Sequence, residues 1–311
     1  MNKKYIVLTV LFTTLFFSCK DLTDLNENPN GVPADQVNPN LVLPTVLTET
    51  AKKFVVLGFG DVGGVMQHTQ LDGWWSGHND YDWSNQDWSD YYAILSDNKL
   101  VYDRAVKLEY EFHQGVTLVM KSMMFGLITD LWGDAPYSEA LLGEELGEGL
   151  VPAFDSQEAI YMGILEDLET ANTLLSKDAS EYTGIVADAD VFYGGDPAAW
   201  RKLANSLALR YYMRISEKKA DVAKAGIEKI VGNPSQYPII TSSDEDATMG
   251  YTGTSNDTAW PNNTVFDASQ SNFSRCKMAA TLVEKLQEFN DARLGVWANK
   301  VEIPLVVDAS F

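Results

Sequence analysis

The chain has 311 residues, and 44 acidic against 23 basic side chains leave a net charge of −21. A surface this acidic repels nucleic acid and anionic lipid, which excludes DNA or RNA as a partner. Hydrophobic residues make up 45% of the sequence, enough for a sizeable core in one large domain or two small ones.

The chain opens with Lys3 and Lys4, then an apolar run from Tyr5 to Phe17, then Ser18 and Cys19. A charged start, a short apolar stretch and a small residue at the cut make a secretory signal, expected over residues 1–18. The run is too short for a membrane span, which needs about 20 apolar residues. A cysteine directly after the small residue is the bacterial lipoprotein pattern, so Cys19 is expected to be lipidated and to become the mature N-terminus. The alternative is a plain signal peptide with an incidental cysteine. Several acyl chains would hold the protein on a bilayer far better than one. Cys276 is the other cysteine; with Cys19 acylated it has no disulfide partner and reads as a small buried hydrophobe.

Residues 19–40 form the expected lipidated arm. Its Asp21 to Pro39 stretch is rich in Asn, Asp and Pro and reads as extended. The expected domain follows over residues 41–311. Leu41, Leu43, Val46, Leu47 and Thr50 share one helical face. A second amphipathic segment spans about Trp88 to Val106. A third, from about Glu111 to Trp132, is apolar nearly all round and should be central. Gly133 closes it and Pro136 prevents a restart. Residues 142–149 read as an acidic, glycine-rich loop. Asp155 and Glu158 then have capping-box spacing at the head of a helix carrying Ile160, Ile164 and Leu168. After a polar loop over 178–195, Asp196 and Pro197 start another helix, and a shorter one spans about Asp221 to Ile230. Residues 235–271 read as loops with a short strand near Ala247 to Tyr251. A last helix is expected over about Lys277 to Phe289. The apolar stretch Ile303 to Val307 makes the end of the chain look unfinished. Trp200, Leu203, Ala204 and Leu207 fit the first-helix signature of a tetratricopeptide repeat, with Ala in place of Gly. No regular 34-residue period accompanies it.

Four stretches resemble the SusD/RagB family of nutrient-binding outer-membrane lipoproteins. They are the lipoprotein start with Leu25 to Asn30; FGLITDLWGDAPYSEAL from Phe125 to Leu141; GDPAAWRKLANSLALRYYMR from Gly195 to Arg214; and Arg275 to Leu294, where Ala292 stands in place of the family's usual Pro. Together they cover nearly the whole chain in the expected order. The resemblance implies an all-α fold of tetratricopeptide-like helix pairs with long loop insertions. It also implies an outer-membrane, outward-facing location and a partner, a SusC-like TonB-dependent transporter. The lipoprotein would lie over that barrel as a lid, bind glycan or peptide, and pass it down. Members usually continue further, so this chain corresponds to the N-terminal part of one.

The segment Leu71 to Tyr92 carries the candidate chemistry. Trp88, Tyr91, Tyr92 and Leu95 have helical spacing and read as core. Trp74, Trp75, Tyr81 and Trp83 lie in a polar, glycine-containing loop. An exposed aromatic face suits the C–H face of a sugar ring, while neighbouring Asp and Asn bond its hydroxyls. Packing is the competing role for these four. Trp260 is a further candidate. Asp80, Asp82 and Ser84 match the start of an EF-hand loop, but Asn85 and Tyr91 occupy its Gly and Glu positions, so a solvated acidic loop is expected. His68, His78 and His113 lack metal-ligand spacing, and His113 beside Glu109 and Glu111 reads as surface. Asp257-Thr258-Ala259 resembles a Bacteroidetes O-glycosylation motif. With no phosphate loop, nucleophile elbow or Cys–His pairing, the expectation is a non-catalytic binder with no cofactor and no metal. Its ligand is a glycan, with peptide as the alternative. A lipid-anchored glycosidase and a protein-binding scaffold are the competing classes.

Overall fold

The computed structural model describes residues 32–71, 78–81, 83, 86–143, 151–252 and 276–298. Residues up to Val37 form one unit, of which 32–37 show a single 3-10 turn at Ala34–Gln36. The second unit begins at Asn38. Its described residues are helical or loop apart from two short antiparallel ladders.

Its first helix, α1 (Pro39–Phe59), starts where Asn38 Oδ1 accepts from the Asn40 backbone N–H at 3.0 Å, with Pro39 in the first turn. Pro39 and Asn40, the last two residues of the expected arm, are therefore helical and buried. Leu43, Val46, Leu47 and Thr50 face the core, but Leu41 is 75% exposed. At about 100° per residue the two-residue step from Leu41 to Leu43 is about 200°, which puts Leu41 on the far side of the helix from the apolar stripe. A short helix α2 (Asp61–Val65) and strand β1 (Thr69–Leu71) lead to α3 (Ser89–Lys107) and α4 (Glu111–Trp132). Ladder β2 (Ala135–Pro136) with β3 (Phe154–Asp155) precedes α5 (Gln157–Leu174), α6 (Pro197–Ile215) and α7 (Ala220–Gly232).

The long helices pack in chain order, α1 on α3, α3 on α4, α4 on α5, α5 on α6 and α6 on α7. Each buries its apolar stripe against the next, as in helical solenoids. Helix α4 also touches α1 and α6, which explains its apolar circumference. Phe112, Val116, Val119, Met120, Met124, Phe125 and Ile128 are all at most 2% exposed, and each such side chain contributes about 1.5–3 kcal/mol. A side chain at Gly126 would collide with the Tyr211 ring, whose hydroxyl donates to Ser122 O at 3.1 Å. Gly133 ends α4 in the left-handed region, φ 79°. No helix among the described residues is long and apolar enough to cross a membrane.

The turn after α4 corrects one sequence expectation. Asp155 does not cap α5: Ser156 does, accepting from Ala159 N–H at 3.2 Å. The Asp155 carboxylate accepts instead from the N–H groups of Tyr137 and Ser138, at 3.0 and 2.7 Å, and from the Ser138 hydroxyl. Burial works to raise its pKa, but these donations outweigh it and hold the group below the usual carboxylate range. Asp134 accepts from Gln157 N–H at 2.9 Å, and Glu139 from Ala153 N–H at 2.9 Å. The acidic residues of the GDAPYSEA stretch are therefore fasteners between α4 and α5.

His113 is fully buried, not a surface residue. Its Nε2 lies 2.9 Å from Asn40 Oδ1, and Asn40 Nδ2 donates to Gly184 O at 2.8 Å. The amide oxygen can only accept, so Nε2 carries the proton. Burial draws the imidazole pKa down to about 4, against the opposing pull of the Asp190 charge.

The last elements are β4 (Cys276–Met278), α8 (Ala280–Glu288) and α9 (Arg293–Trp297). Lys277 thus lies in a strand rather than opening the helix, because it pairs across to Gln70. Cys276 is half-buried on this small ladder instead of lying in the core. Residues 247–251 form no strand.

Candidate functional site

The aromatic loop grows from a well-fastened base. β1 and β4 pair antiparallel, Thr69 with Met278 and Leu71 with Cys276. Where the chain returns, Asn79 closes on the end of β1. Its Oδ1 accepts from Leu71 N–H at 2.9 Å and its Nδ2 donates to Leu71 O at 2.5 Å. One side chain thereby satisfies both backbone groups of an edge residue, as a third strand would. Next to it, the Thr69 hydroxyl donates to Phe59 O at 3.1 Å and lies 3.2 Å from His78 Nε2. A hydroxyl with its proton committed must accept, so His78 donates from Nε2. Helix α2 comes close enough that a Cβ on Gly64 would sit 2.9 Å from His78 O, which explains the glycine there.

Beyond this anchor the chain presents aromatic surface. Tyr81 takes a left-handed backbone, φ 58°, and is 55% exposed; Trp83 is 41% exposed. A non-glycine residue in that region is uncommon. The segment ends at Asp87, which accepts from the backbone N–H and the hydroxyl of Ser89, both at 2.8 Å, and so starts α3. Those two bonds hold its carboxyl below the usual range.

Trp88 and Tyr92 turn inward. Trp88 lies 5.8 Å from both Tyr92 and Trp132 and 5.7 Å from Phe154, and the Tyr92 hydroxyl donates to Pro136 O at 2.7 Å. Tyr91 packs on Trp132 at 5.3 Å. Tyr91 is core, as its spacing indicates, and Trp88 and Tyr92 are partly buried against the core.

The structure therefore places Tyr81 and Trp83 together on one exposed segment. Trp74, Trp75 and Trp260 lie outside the described residues, as do Cys19, Asp82, Ser84 and the Asp257-Thr258-Ala259 motif. Among the described residues no group of His, Cys, Asp and Glu could hold a metal ion. Asn79 escaped sequence reasoning. An asparagine between a histidine and an aspartate carries no periodic signal, and its role depends on a strand edge eight residues earlier.

The described long helices stack in chain order, and Tyr81 and Trp83 are exposed beyond the β1–β4 ladder. Residues 49–304 match the model of the SusD-like family described as starch-binding and associating with the outer membrane. The chain belongs to this family. Among solved structures it is similar to a SusD homologue from Bacteroides fragilis, 23% identical, TM-score 0.66, covering 83% of this chain and 52% of that one. An outer-membrane protein of Bacteroides vulgatus linked to nutrient binding is 28% identical, with TM-score 0.65 and coverage of 83% and 52%. A chitin-binding protein is 26% identical, with TM-score 0.63 and coverage of 83% and 54%. The chain spans about half the length of these relatives. No curated protein matches it.

Proposed function

We propose that this protein captures glycan at the bacterial outer membrane and passes it to a SusC-like TonB-dependent transporter, without chemical turnover. The observation that carries this reading is the exposed Tyr81 and Trp83 on a segment locked at its root by Asn79. Aromatic faces held in place before the ligand arrives lose little conformational entropy on binding, and they suit the C–H faces of sugar rings. Family membership supports the outer-membrane setting, and the chitin-binding relative supports a polysaccharide ligand. Trp74, Trp75 and Trp260 extend the same aromatic surface in this reading. Cys19 carries the lipid, and the arm behind it lets the domain swing over the transporter. Retention on immobilised starch and chitin tests the ligand class. Binding without release of shorter sugars is the expected result. Retention on peptide columns alone would favour a peptide ligand, and soluble sugar products would make the protein a glycosidase.

A further inference from the structure

Away from the aromatic loop, a cavity of about 270 Å³ opens between α3, α4 and α5. Its inner wall is apolar, with Leu95 and Phe125. Its mouth carries two ion pairs, Lys99 with Asp103 at 2.6 Å and Lys121 with Asp167 at 2.9 Å. The Tyr137 hydroxyl donates to the same Asp167 oxygen at 3.0 Å, and Lys121 sits 5.0 Å over the Tyr137 ring. Both lysines engage Oδ2, and among the described residues neither Oδ1 accepts a hydrogen bond. Asn98, also in the lining, is 4% exposed. Its Nδ2 donates to Thr117 O at 2.9 Å, which fixes the amide's orientation and leaves Oδ1 buried without a partner among the described residues. A buried acceptor in that condition is destabilising until a donor reaches it.

We propose that this cavity is a second binding site, for a neutral polyhydroxylated molecule the size of one sugar ring. Charge decides the class. With Lys99 held by Asp103 and Lys121 by Asp167, a charged ligand would have to displace a lysine or an aspartate from its present partner, whereas neutral hydroxyls can donate to Oδ1 with both pairs intact. An apolar wall with the Tyr137 and Phe125 rings suits a C–H face. The volume, just below the usual range of about 300–1,000 Å³ for ligand pockets, suits a single ring. The site is independent of the loop, and the two readings fail separately.

The test uses purified protein carrying Tyr81→Ala and Trp83→Ala, so that those loop aromatics contribute nothing. It is titrated with glucose, galactose, N-acetylglucosamine and dialanine while the Asn98 side-chain amide is followed by NMR. At least one sugar is expected to shift that signal saturably, and dialanine is not. Adding Ala140→Phe, which fills the cavity from its rim, should weaken the sugar about tenfold or more. Asp103→Leu, at a partly exposed side chain, should do the same and serves if Ala140→Phe does not fold. No shift with any sugar, tighter binding of dialanine, or unchanged affinity in Asp103→Leu would overturn the proposal.

Discussion

The indole of Trp200 donates to the carboxylate of Asp190 at 2.7 Å, with both residues buried. The same carboxylate accepts from the N–H groups of Phe192, Tyr193 and Gly195, so one side chain folds the loop before α6 onto that helix's largest core residue. Hydrogen bonds to a buried charge contribute about 1.5–3 kcal/mol each. Asp190→Ala should therefore destabilise the protein by about 3 kcal/mol or more, read as a lower urea midpoint. Trp200→Phe, which keeps an aromatic ring but removes one donor, should cost less than Asp190→Ala. The reverse order would place the stability in ring packing instead.

His113 gives a pH dependence with a definite sign. Its folded pKa is about 4 against an ordinary value of 6.5, so the unfolded chain binds the proton more readily. The stabilising contribution is complete above pH 6.5, is lost as pH falls and is gone below the folded value of about 4. At about 1.36 kcal/mol per unit, the loss is on the order of 3 kcal/mol. Carboxylates titrate in the same range, so the comparison is between wild type and His113→Gln. Their stabilities should converge as pH falls from 7 to 4. A constant difference across that range would contradict a neutral buried imidazole.

Asn79→Ala removes two hydrogen bonds at the root of the aromatic loop. The expected global cost is small, about 1–2 kcal/mol. The larger effect is local, with faster hydrogen exchange at the Leu71 amide and weaker glycan binding without loss of the exposed rings. Unchanged exchange at Leu71 would remove Asn79 from its anchoring role.

Cys19→Ser should leave the protein unacylated and shift it from the membrane to the soluble fraction, as followed by metabolic labelling with a fatty acid. Label retained by the variant would place the lipid elsewhere.

The helices were legible where one stretch of sequence contained the whole reason for them. The α4 segment reads as central because its apolar residues cover every face, and Asp196 with Pro197 marks the start of α6 without outside help. Features that depend on distant partners were not legible. His113 is buried by its pairing with Asn40, which itself bonds Gly184. β1 and β4 are too short to show a period, and Leu71 finds Cys276 only in the fold. Asp155 satisfied a local capping rule, yet Tyr137 and Ser138 across the turn hold its carboxylate while Ser156 takes the cap. The stretches Phe125 to Leu141 and Gly195 to Arg214 turn out to be fasteners and core, such as Asp134, Tyr137 and Trp200. They identify the scaffold and say little about the ligand. Tyr81 and Trp83 were legible as aromatics in a polar loop; the Lys121–Asp167 pair was not, because a lysine on an apolar helix is ordinary until its neighbours enclose it.

In the proposed function the exposed aromatic segment binds glycan. Isothermal titration of wild type and of Tyr81→Ala with Trp83→Ala, using chitin and starch oligosaccharides, tests it most directly. The double variant should bind at least about tenfold more weakly, a loss of about 1.4 kcal/mol or more, with an unchanged melting temperature. Equal affinity in the two proteins would contradict the claim.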